Sequence, residues 1–210
     1  MDEAEELRRV VPVVRALADD GVLVSVDTSK PAVAAAVIEA GAEAINDVTG
    51  LADPDLRAVC ADGGVGVVTM HMQGEPRTMQ EDPRYDDVVA EVTQFLSERV
   101  AECVDAGLGE DLLVLDPGFG FGKTPTDNIE LLANLRQLLD IGQPLLIGIS
   151  RKSTLGAITG RDVDQRVPAS VAAAVMAVER GASIVRAHDV AETVDALRVA
   201  TAVMKLDTSE

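Results

Sequence analysis

Short apolar runs alternate with amphipathic segments along most of the chain. The runs are rich in Val, Ile and Leu and almost uninterrupted by polar residues, which is typical of parallel strands covered on both faces. We predict six such strands, at residues 22–27, 42–47, 65–70, 112–116, 144–150 and 183–188. The intervening segments have helical spacing of their apolar residues. They predict helices at residues 32–40, 54–62, 85–106, 127–140, 167–180 and 190–204, after a first helix at 3–19.

Proline, aspartate and glycine mark the predicted helix boundaries. Helix starts are indicated by Pro31, by Asp53 with Pro54, and by Asp127. Four glycines are predicted to end helices, namely Gly41, Gly63, Gly107 and Gly181. Pro12 lies inside the first predicted helix, and we expect it either to kink that helix or to divide it.

Six consecutive strand–helix units predict a parallel sheet with helices outside it. An open doubly wound sheet and a closed TIM-type (β/α)8 barrel both have this order. A polar residue ends or follows every predicted strand, namely Asp27, Asn46 with Asp47, His71, Asp116, Ser150 with Arg151 and Lys152, and Arg186 with His188. An open sheet concentrates function at one switch point, whereas a barrel gathers all its strand ends around one mouth. The pattern therefore favours the barrel.

Composition excludes several function classes. The net charge of -18 disfavours nucleic acid and anionic membranes as partners, because both require a basic surface. The longest uncharged apolar stretches reach about a dozen residues, short of the roughly 20 that a membrane span requires. The two cysteines have no CxxC spacing, which predicts reduced thiols in a cytoplasmic protein.

A glycine-rich loop, PGFGFGKT, follows the fourth predicted strand. Two of the three Phe of the chain, Phe119 and Phe121, alternate there with glycines. The loop matches neither a P-loop nor a dinucleotide fingerprint, because Pro117 replaces the first glycine of the P-loop and the glycines are evenly spaced. Either the rings pack over a barrel mouth, or the rings and the bare backbone contact a ligand. Asp116, directly before the loop, is either a turn cap or a ligand-binding carboxylate.

Basic residues cluster after the last two predicted strands. Arg151 and Lys152 directly follow strand 144–150, in a chain with only four Lys. Arg186 and His188 are two residues apart on strand 183–188, so we expect both side chains on one face. Together these residues predict an anion-binding cluster. His71 is a weaker candidate, because it begins a long polar loop and could serve to anchor it.

Six ordered motifs, VSVDTSKPAV, INDVTG, MHMQGEPRTMQ, LDPGFGFGK, IGISRKS and VRAHDV, resemble those of the dihydropteroate synthases. The resemblance implies a TIM-type barrel that condenses 6-hydroxymethyl-7,8-dihydropterin pyrophosphate with p-aminobenzoate in folate biosynthesis and is inhibited by sulfonamides. It also implies Mg²⁺ as cofactor, a cytoplasmic location and a homodimer, with small-molecule substrates and with neither nucleic acid nor membrane as partner.

The resemblance assigns roles to individual residues. The implied pterin contacts are Asp27, Asn46, Met70, Asp116, Gly148 and Lys152, and the implied pyrophosphate contacts are Arg151, Arg186 and His188. The implied p-aminobenzoate or sulfonamide contacts are Phe121, Lys152 and Ser153. Catalytic roles are implied for Asp27, Lys152, Arg186 and His188. A carboxylate such as that of Asp116 suits the adjacent N–H donors of a pterin, and the two Phe rings would border a flat aromatic substrate.

Members of this family carry two further strands before the helix with which this chain begins. In those members, the loops after the two further strands hold a Mg²⁺-binding Asn and close over p-aminobenzoate. We therefore expect residues 1–210 to form a single pterin-binding domain with six of the eight barrel units, the family's strands 3–8. We expect no metal ligand in this chain and no synthase activity from it alone. Two alternatives remain. One is a corrinoid-type pterin-binding methyltransferase domain, which has no need of the anion-binding cluster, and the other is a non-catalytic pterin-binding paralogue.

Overall fold

The computed structural model describes residues 1–75 and 78–207. Its strands are β1 (Ser25–Asp27), β2 (Ala44–Asp47), β3 (Gly66–Met70), β4 (Leu113–Asp116), β5 (Leu146–Ile147) and β6 (Ile184–Val185). Its α-helices are α1 (Glu3–Asp19), α2 (Pro31–Glu39), α3 (Pro54–Gly63), α4 (Val88–Asp105), α5 (Pro125–Ala133), α6 (Ser153–Thr159), α7 (Val167–Glu179) and α8 (Val190–Asp207). No helix in these ranges is both long enough and apolar enough to cross a membrane.

The chain forms two compact units. The first consists of Met1–His71 and Phe95–Leu115, and the second of Met72–Gln94 with the residues from Asp116 onward. A four-stranded sheet has the order β1-β2-β3-β4, with β1 parallel to β2 and β2 parallel to β3. The second unit contains the parallel pair β5-β6. The predicted α/β class with parallel strands is therefore confirmed.

The helix signals of the sequence were accurate where caps and prolines mark the boundaries. Helix α1 has the predicted bounds, and Pro12 lies inside one continuous helix, so it does not divide α1. Asp53 caps α3 by accepting a hydrogen bond from the backbone N–H of Asp55. Gly63 is the last residue of α3, and Gly64, with a left-handed backbone, follows as its C-cap, one residue later than predicted.

Several element predictions were wrong in their bounds. The helix predicted at 127–140 starts at Pro125, because Thr124 and Asp127 form a capping box in which each side chain accepts a hydrogen bond from the other's backbone N–H. It ends at Ala133, where the Asn134 amide donates to the Glu130 carbonyl, and a 3-10 helix follows. Strands β5 and β6 have only two residues each. Arg186 and His188 consequently lie beyond β6 rather than on it.

Helix α6 was not predicted. It has seven residues and contains Gly156, so it is too short and too interrupted to give a periodic signal.

The core of the first unit is built almost entirely from aliphatic side chains. Val, Ala, Leu and Ile from the helices and strands pack together there with two buried cysteines. Cys60 and Cys103 are free thiols, and burial raises the pKa of each to about 11. Both therefore stay protonated at neutral pH and serve as small apolar core residues.

Candidate active site

Asp27 and Asn46 form a hydrogen-bonded pair at the ends of two neighbouring strands. They are register partners in the parallel pair β1-β2, so their side chains emerge next to each other. The Asn46 amide nitrogen donates to a carboxylate oxygen of Asp27. The amide oxygen of Asn46 is buried and has no hydrogen-bond partner among the described residues. The pair thus offers a buried acceptor that the described part of the protein leaves unsatisfied.

An open cleft of about 310 Å³ in the first unit includes this pair. Glu6 of α1 and Lys30 line the same cleft and form an ion pair with an N–O distance of 2.6 Å. The Thr28 hydroxyl also donates to the Glu6 carboxylate. These contacts tie α1 to the segment that follows β1, and so they fix the wall of the cleft.

Met70, the last residue of β3, and His71, which directly follows it, are both buried. The His71 ring packs edge-to-face on Phe95, with a centroid distance of 4.9 Å. This is the arrangement expected if His71 anchors the polar loop after β3. Pro76 and Arg77 of the loop that His71 begins lie outside the described residues.

Asp116 is a buried carboxylate of the second unit, with 1% of its surface exposed. Its Oδ1 accepts a hydrogen bond of 2.8 Å from the Gly118 N–H, and its Oδ2 lies 3.7 Å from a guanidinium nitrogen of Arg186. Burial raises the pKa of Asp116, and the Gly118 N–H and the nearby cations Arg186, Lys152 and Lys123 oppose that rise. Asp116 does cap a turn, as a strand-end Asp often does, but it also faces cations.

The two rings of the glycine-rich loop have different environments. Phe119 is 1% exposed and is a core side chain, contrary to the prediction that both rings border a ligand. Phe121 is only half-buried, and the Lys152 ammonium lies 4.1 Å from its ring centroid. This distance is within the range of a cation–π interaction. Phe121 is therefore the ring that is available to a ligand.

Lys152 lies directly before α6, with its alkyl chain against the backbone of Gly120. A Cβ atom at Gly120 would lie 3.0 Å from the Lys152 Cδ, so glycine allows that close approach. Burial lowers the pKa of Lys152, while the Asp116 carboxylate opposes that shift. Ser153, the first residue of α6, is exposed.

Arg186 and His188 approach the end of β5 from the irregular segment after β6. A Cβ atom at Gly148 would lie 3.2 Å from a guanidinium nitrogen of Arg186, so the bare backbone there leaves room for the guanidinium. The Nδ1 atom of His188 lies 3.1 Å from the Ser150 hydroxyl oxygen, which also accepts a hydrogen bond from the His188 backbone N–H. Arg186 and His188 thus contact the segment that follows β5 at two points, Gly148 and Ser150.

Arg151 has a left-handed backbone, with φ of 57°, which is rare for a residue other than glycine. The Ser170 hydroxyl oxygen accepts a hydrogen bond of 2.9 Å from the Arg151 N–H. The Arg151 guanidinium forms a two-bonded ion pair with the Asp189 carboxylate. This pairing lowers the pKa of Asp189 and neutralises much of the charge that Arg151 was predicted to offer to an anion.

Sequence reasoning did not identify Lys123 as a site residue. It lies at the end of the glycine-rich loop, yet it is 2% exposed, and burial lowers its pKa to about 7. A buried lysine is unusual, and its position at the end of the glycine-rich loop is the signal that could have identified it.

Within the ranges 1–75 and 78–207, no three His, Cys, Asp or Glu side chains gather in a group that could hold a metal ion.

Known proteins with the same fold and sequence pattern identify the family. The family model described as pterin binding enzyme matches residues 1–188. The dihydropteroate synthase of Escherichia coli K12 is 48% identical over 201 residues, which are 95% of this chain and 71% of that protein. Two solved dihydropteroate synthases superimpose closely. The Yersinia pestis protein, in complex with a sulfonamide drug, has a TM-score of 0.95 at 46% identity, over 98% of this chain and 76% of that one. The Xanthomonas albilineans protein, in complex with 7,8-dihydropteroate, has a TM-score of 0.91 at 48% identity, over 97% of this chain and 76% of that one.

These similarities confirm both the barrel type and the family inferred from the six motifs. Identity near one half over almost the whole chain lies far above the level at which only a fold is shared. The chain therefore belongs to the pterin binding enzymes and, within them, to the dihydropteroate synthases.

Proposed function

We propose that this chain acts in the dihydropteroate synthase reaction of folate biosynthesis with Asp116 as the carboxylate that recognises the pterin. The observation that carries this assignment is the buried Asp116 carboxylate, which faces Arg186 and lies in the field of Lys152. A buried carboxylate is costly unless it is paired or hydrogen-bonded. The adjacent N–H donors of a pterin supply such bonds, and they suit a carboxylate with two acceptor oxygens.

Asp27 and Asn46 are proposed as further polar pterin contacts. The unsatisfied amide oxygen of Asn46 supports this role, because a ligand N–H would satisfy it. Met70 and Gly148 are proposed as apolar and backbone contacts of the pterin. Both are buried, and neither contributes a charge.

Arg186 and His188 are proposed as the pyrophosphate ligands, with Lys152 between the pterin and p-aminobenzoate. In the reaction the bond from the pterin methylene carbon to the pyrophosphate oxygen breaks, and the aminobenzoate nitrogen bonds to that carbon and loses a proton. Arg186 is 41% exposed at its side chain and can reach an incoming anion. Its charge would stabilise the negative charge that develops on the leaving pyrophosphate. A corrinoid-type methyltransferase would have no need of this cation.

Arg151 is proposed to support the pyrophosphate site chiefly through its backbone. Its guanidinium already binds Asp189, so a direct bond to phosphate would require that pair to open.

Phe121 and Ser153 are proposed to border p-aminobenzoate or a sulfonamide. The half-buried ring of Phe121 beneath the Lys152 ammonium offers a flat apolar surface next to a cation. This combination suits an aromatic carboxylate such as p-aminobenzoate.

Mg²⁺ is proposed as the cofactor, and it would help to neutralise the negative charge of the pyrophosphate. Among residues 1–75 and 78–207, no three His, Cys, Asp or Glu side chains gather to hold it.

A cytoplasmic location and a homodimer are also proposed. The two free, buried thiols are consistent with a reducing compartment. Apolar side chains exposed on α8, among them Val199 and Leu206, would be covered in a dimer.

The central assignment is tested by Asp116→Asn, with Asp105→Asn on the exposed end of α4 as the matched control. Replacing one acceptor oxygen by a donor leaves a pterin N–H facing another N–H. We expect the affinity for 6-hydroxymethylpterin to fall by roughly 2–4 kcal/mol, or about 30- to 1000-fold in Kd. Isothermal titration calorimetry measures this loss, and the control should bind as the wild type does. Unchanged affinity in a folded Asp116→Asn protein would show that Asp116 only caps its turn.

A further inference from the structure

Lys123 holds two carbonyls of the loop that follows β4, here termed the Phe-Gly loop (residues 117–123). Its ammonium nitrogen donates to the Gly118 carbonyl at 3.1 Å and to the Phe121 carbonyl at 3.2 Å. The charged groups that face it are Asp116, Asp127 and Lys152, and it lies 6.0 Å from the Tyr85 ring centroid. Burial of an ammonium group is unfavourable, and none of the roles proposed above uses this lysine.

The two carbonyls belong to one tight turn. The Phe121 N–H donates to the Gly118 carbonyl at 3.1 Å, and Gly118 and Gly120 have positive φ angles of 72° and 76°. Such angles are accessible to glycine at little cost, so the turn depends on these glycines for its shape. Lys123 thus binds both ends of the turn from the buried side.

This turn sets the positions of two proposed ligand contacts. At one end, the Gly118 N–H donates to the Asp116 carboxylate at 2.8 Å. At the other end, the Phe121 ring lies beneath the Lys152 ammonium. A shift of the turn would therefore move the Phe121 ring and remove a hydrogen bond from Asp116 at the same time.

We propose that Lys123 is a positioning residue, whose ammonium holds the Gly118–Phe121 turn in the arrangement that lets Asp116 bind the pterin and Phe121 border p-aminobenzoate. This inference rests on the roles proposed above for Asp116 and Phe121. Lys123 acts through the turn and touches no reacting atom.

Further side chains hold the same loop. The Asn128 side-chain oxygen accepts from the Gly120 N–H at 2.7 Å, and the Gln80 amide donates to the Gly120 carbonyl at 2.7 Å. The Tyr85 hydroxyl donates to the Gly122 carbonyl at 2.7 Å. Tyr85 is the only Tyr in a chain without Trp, so its fluorescence reports on this loop alone.

The experiment compares the wild type with Lys123→Met, Asp116→Asn and the double variant, with Lys205→Met on α8 as a matched lysine control. Met is similar in length to Lys and keeps the apolar part of the side chain, but it lacks the N–H donors of the ammonium group. We expect acrylamide to quench Tyr85 more strongly in Lys123→Met, and the Kd for 6-hydroxymethylpterin to rise by about 10- to 100-fold, as misplacement of a contact predicts. Lys205→Met should change neither quantity.

The double variant separates positioning from general stabilisation. If Lys123 acts through Asp116, adding Lys123→Met to Asp116→Asn should change the pterin Kd by much less than Lys123→Met does alone. Fully additive losses, or a lower melting temperature with unchanged pterin affinity, would overturn the inference. If Lys123→Met does not fold, Lys123→Gln, which keeps two donors on a shorter chain, takes its place in the same cycle, with a smaller loss expected.

The wild-type measurement distinguishes this inference from the proposed function. Failure of the wild-type chain to bind 6-hydroxymethylpterin would overturn the proposed pterin site and this inference with it. Normal wild-type binding with an unchanged affinity in the folded Lys123 variants would overturn this inference alone.

Discussion

At the scale of single residues, burial acts in opposite directions on Asp116 and Lys123. It raises the pKa of the carboxyl group and lowers the pKa of the ammonium group, and in both cases it favours the uncharged form. Each charge opposes the shift of the other. The second unit therefore places two costly charges at the two ends of one short loop, which is more typical of a functional site than of a core.

The pKa of Lys123 predicts a pH dependence of stability. Its pKa is about 7 in the folded chain against 10.5 for an ordinary lysine, so between these values the unfolded chain binds more protons. The destabilising contribution of Lys123 is thus fully present below about pH 7 and is lost as the pH rises toward 10.5. We expect the free energy of unfolding, measured with urea, to increase over this range relative to that of Lys123→Met.

The comparison with Lys123→Met cancels the contributions of groups that titrate alike in both proteins. A constant difference in unfolding free energy between the two proteins from pH 7 to pH 10 would contradict a lowered pKa for Lys123.

At the scale of elements, the shortness of β5 and β6 shapes the anion site. Regular pairing of β5 with β6 ends at Ile147 and Val185. Beyond these residues, side-chain contacts and irregular backbone determine the path of the chain. The His188 N–H bonds to the Ser150 hydroxyl, and Arg151 adopts a left-handed backbone held by Ser170.

From the irregular segments after β5 and β6 we expect selective losses of anion binding in two variants. His188→Ala and Arg186→Ala should weaken binding of the pyrophosphorylated pterin by about 1.5–3 kcal/mol each, on the scale of a hydrogen bond to a charged group. Binding of 6-hydroxymethylpterin should change little, with His188→Ala the more selective because Arg186 also lies near Asp116. Competition calorimetry with both ligands measures the difference.

Arg198→Ala on the exposed face of α8 is the matched control for charge removal, and it should bind both ligands normally. Equal losses for both ligands in His188→Ala would place His188 in the pterin pocket or in the fold instead.

At the scale of the whole molecule, acidic residues outnumber basic ones by two to one, with 36 Asp and Glu against 18 Lys and Arg. Several of the ion pairs are exposed, such as Arg8 with Glu5 and Arg198 with Asp195. Exposed pairs of this kind contribute little to stability. We therefore expect repulsion among the excess carboxylates to outweigh them and to destabilise the folded chain at low ionic strength.

We accordingly expect the melting temperature to rise between low salt and about 1 M NaCl, where the screening length falls to about 3 Å. Differential scanning calorimetry at pH 7.5 measures the change, with sucrose at matched osmolality as the uncharged control. A melting temperature that falls with salt would show that ion pairs outweigh the net repulsion.

The sequence by itself determined the order and type of most elements and the family. Helix α1 and strands β2 and β3 match their predictions closely, because caps, prolines and apolar periodicity act over a few residues and can be read along the chain. The six motifs were sufficient for the family because each places particular residue types at the end of a strand.

Only the tertiary structure decided which of these residues are buried and which partners they have. Phe119 and Phe121 are the same residue type two positions apart, yet one is core and the other faces Lys152. Arg151 bonds to Asp189, 38 residues away along the chain. Lys123 is buried beneath its own loop, with Tyr85 of a preceding segment nearby. Burial and pairing depend on contacts between segments that are distant in the chain and come together only on folding. No local pattern of residues encodes those contacts.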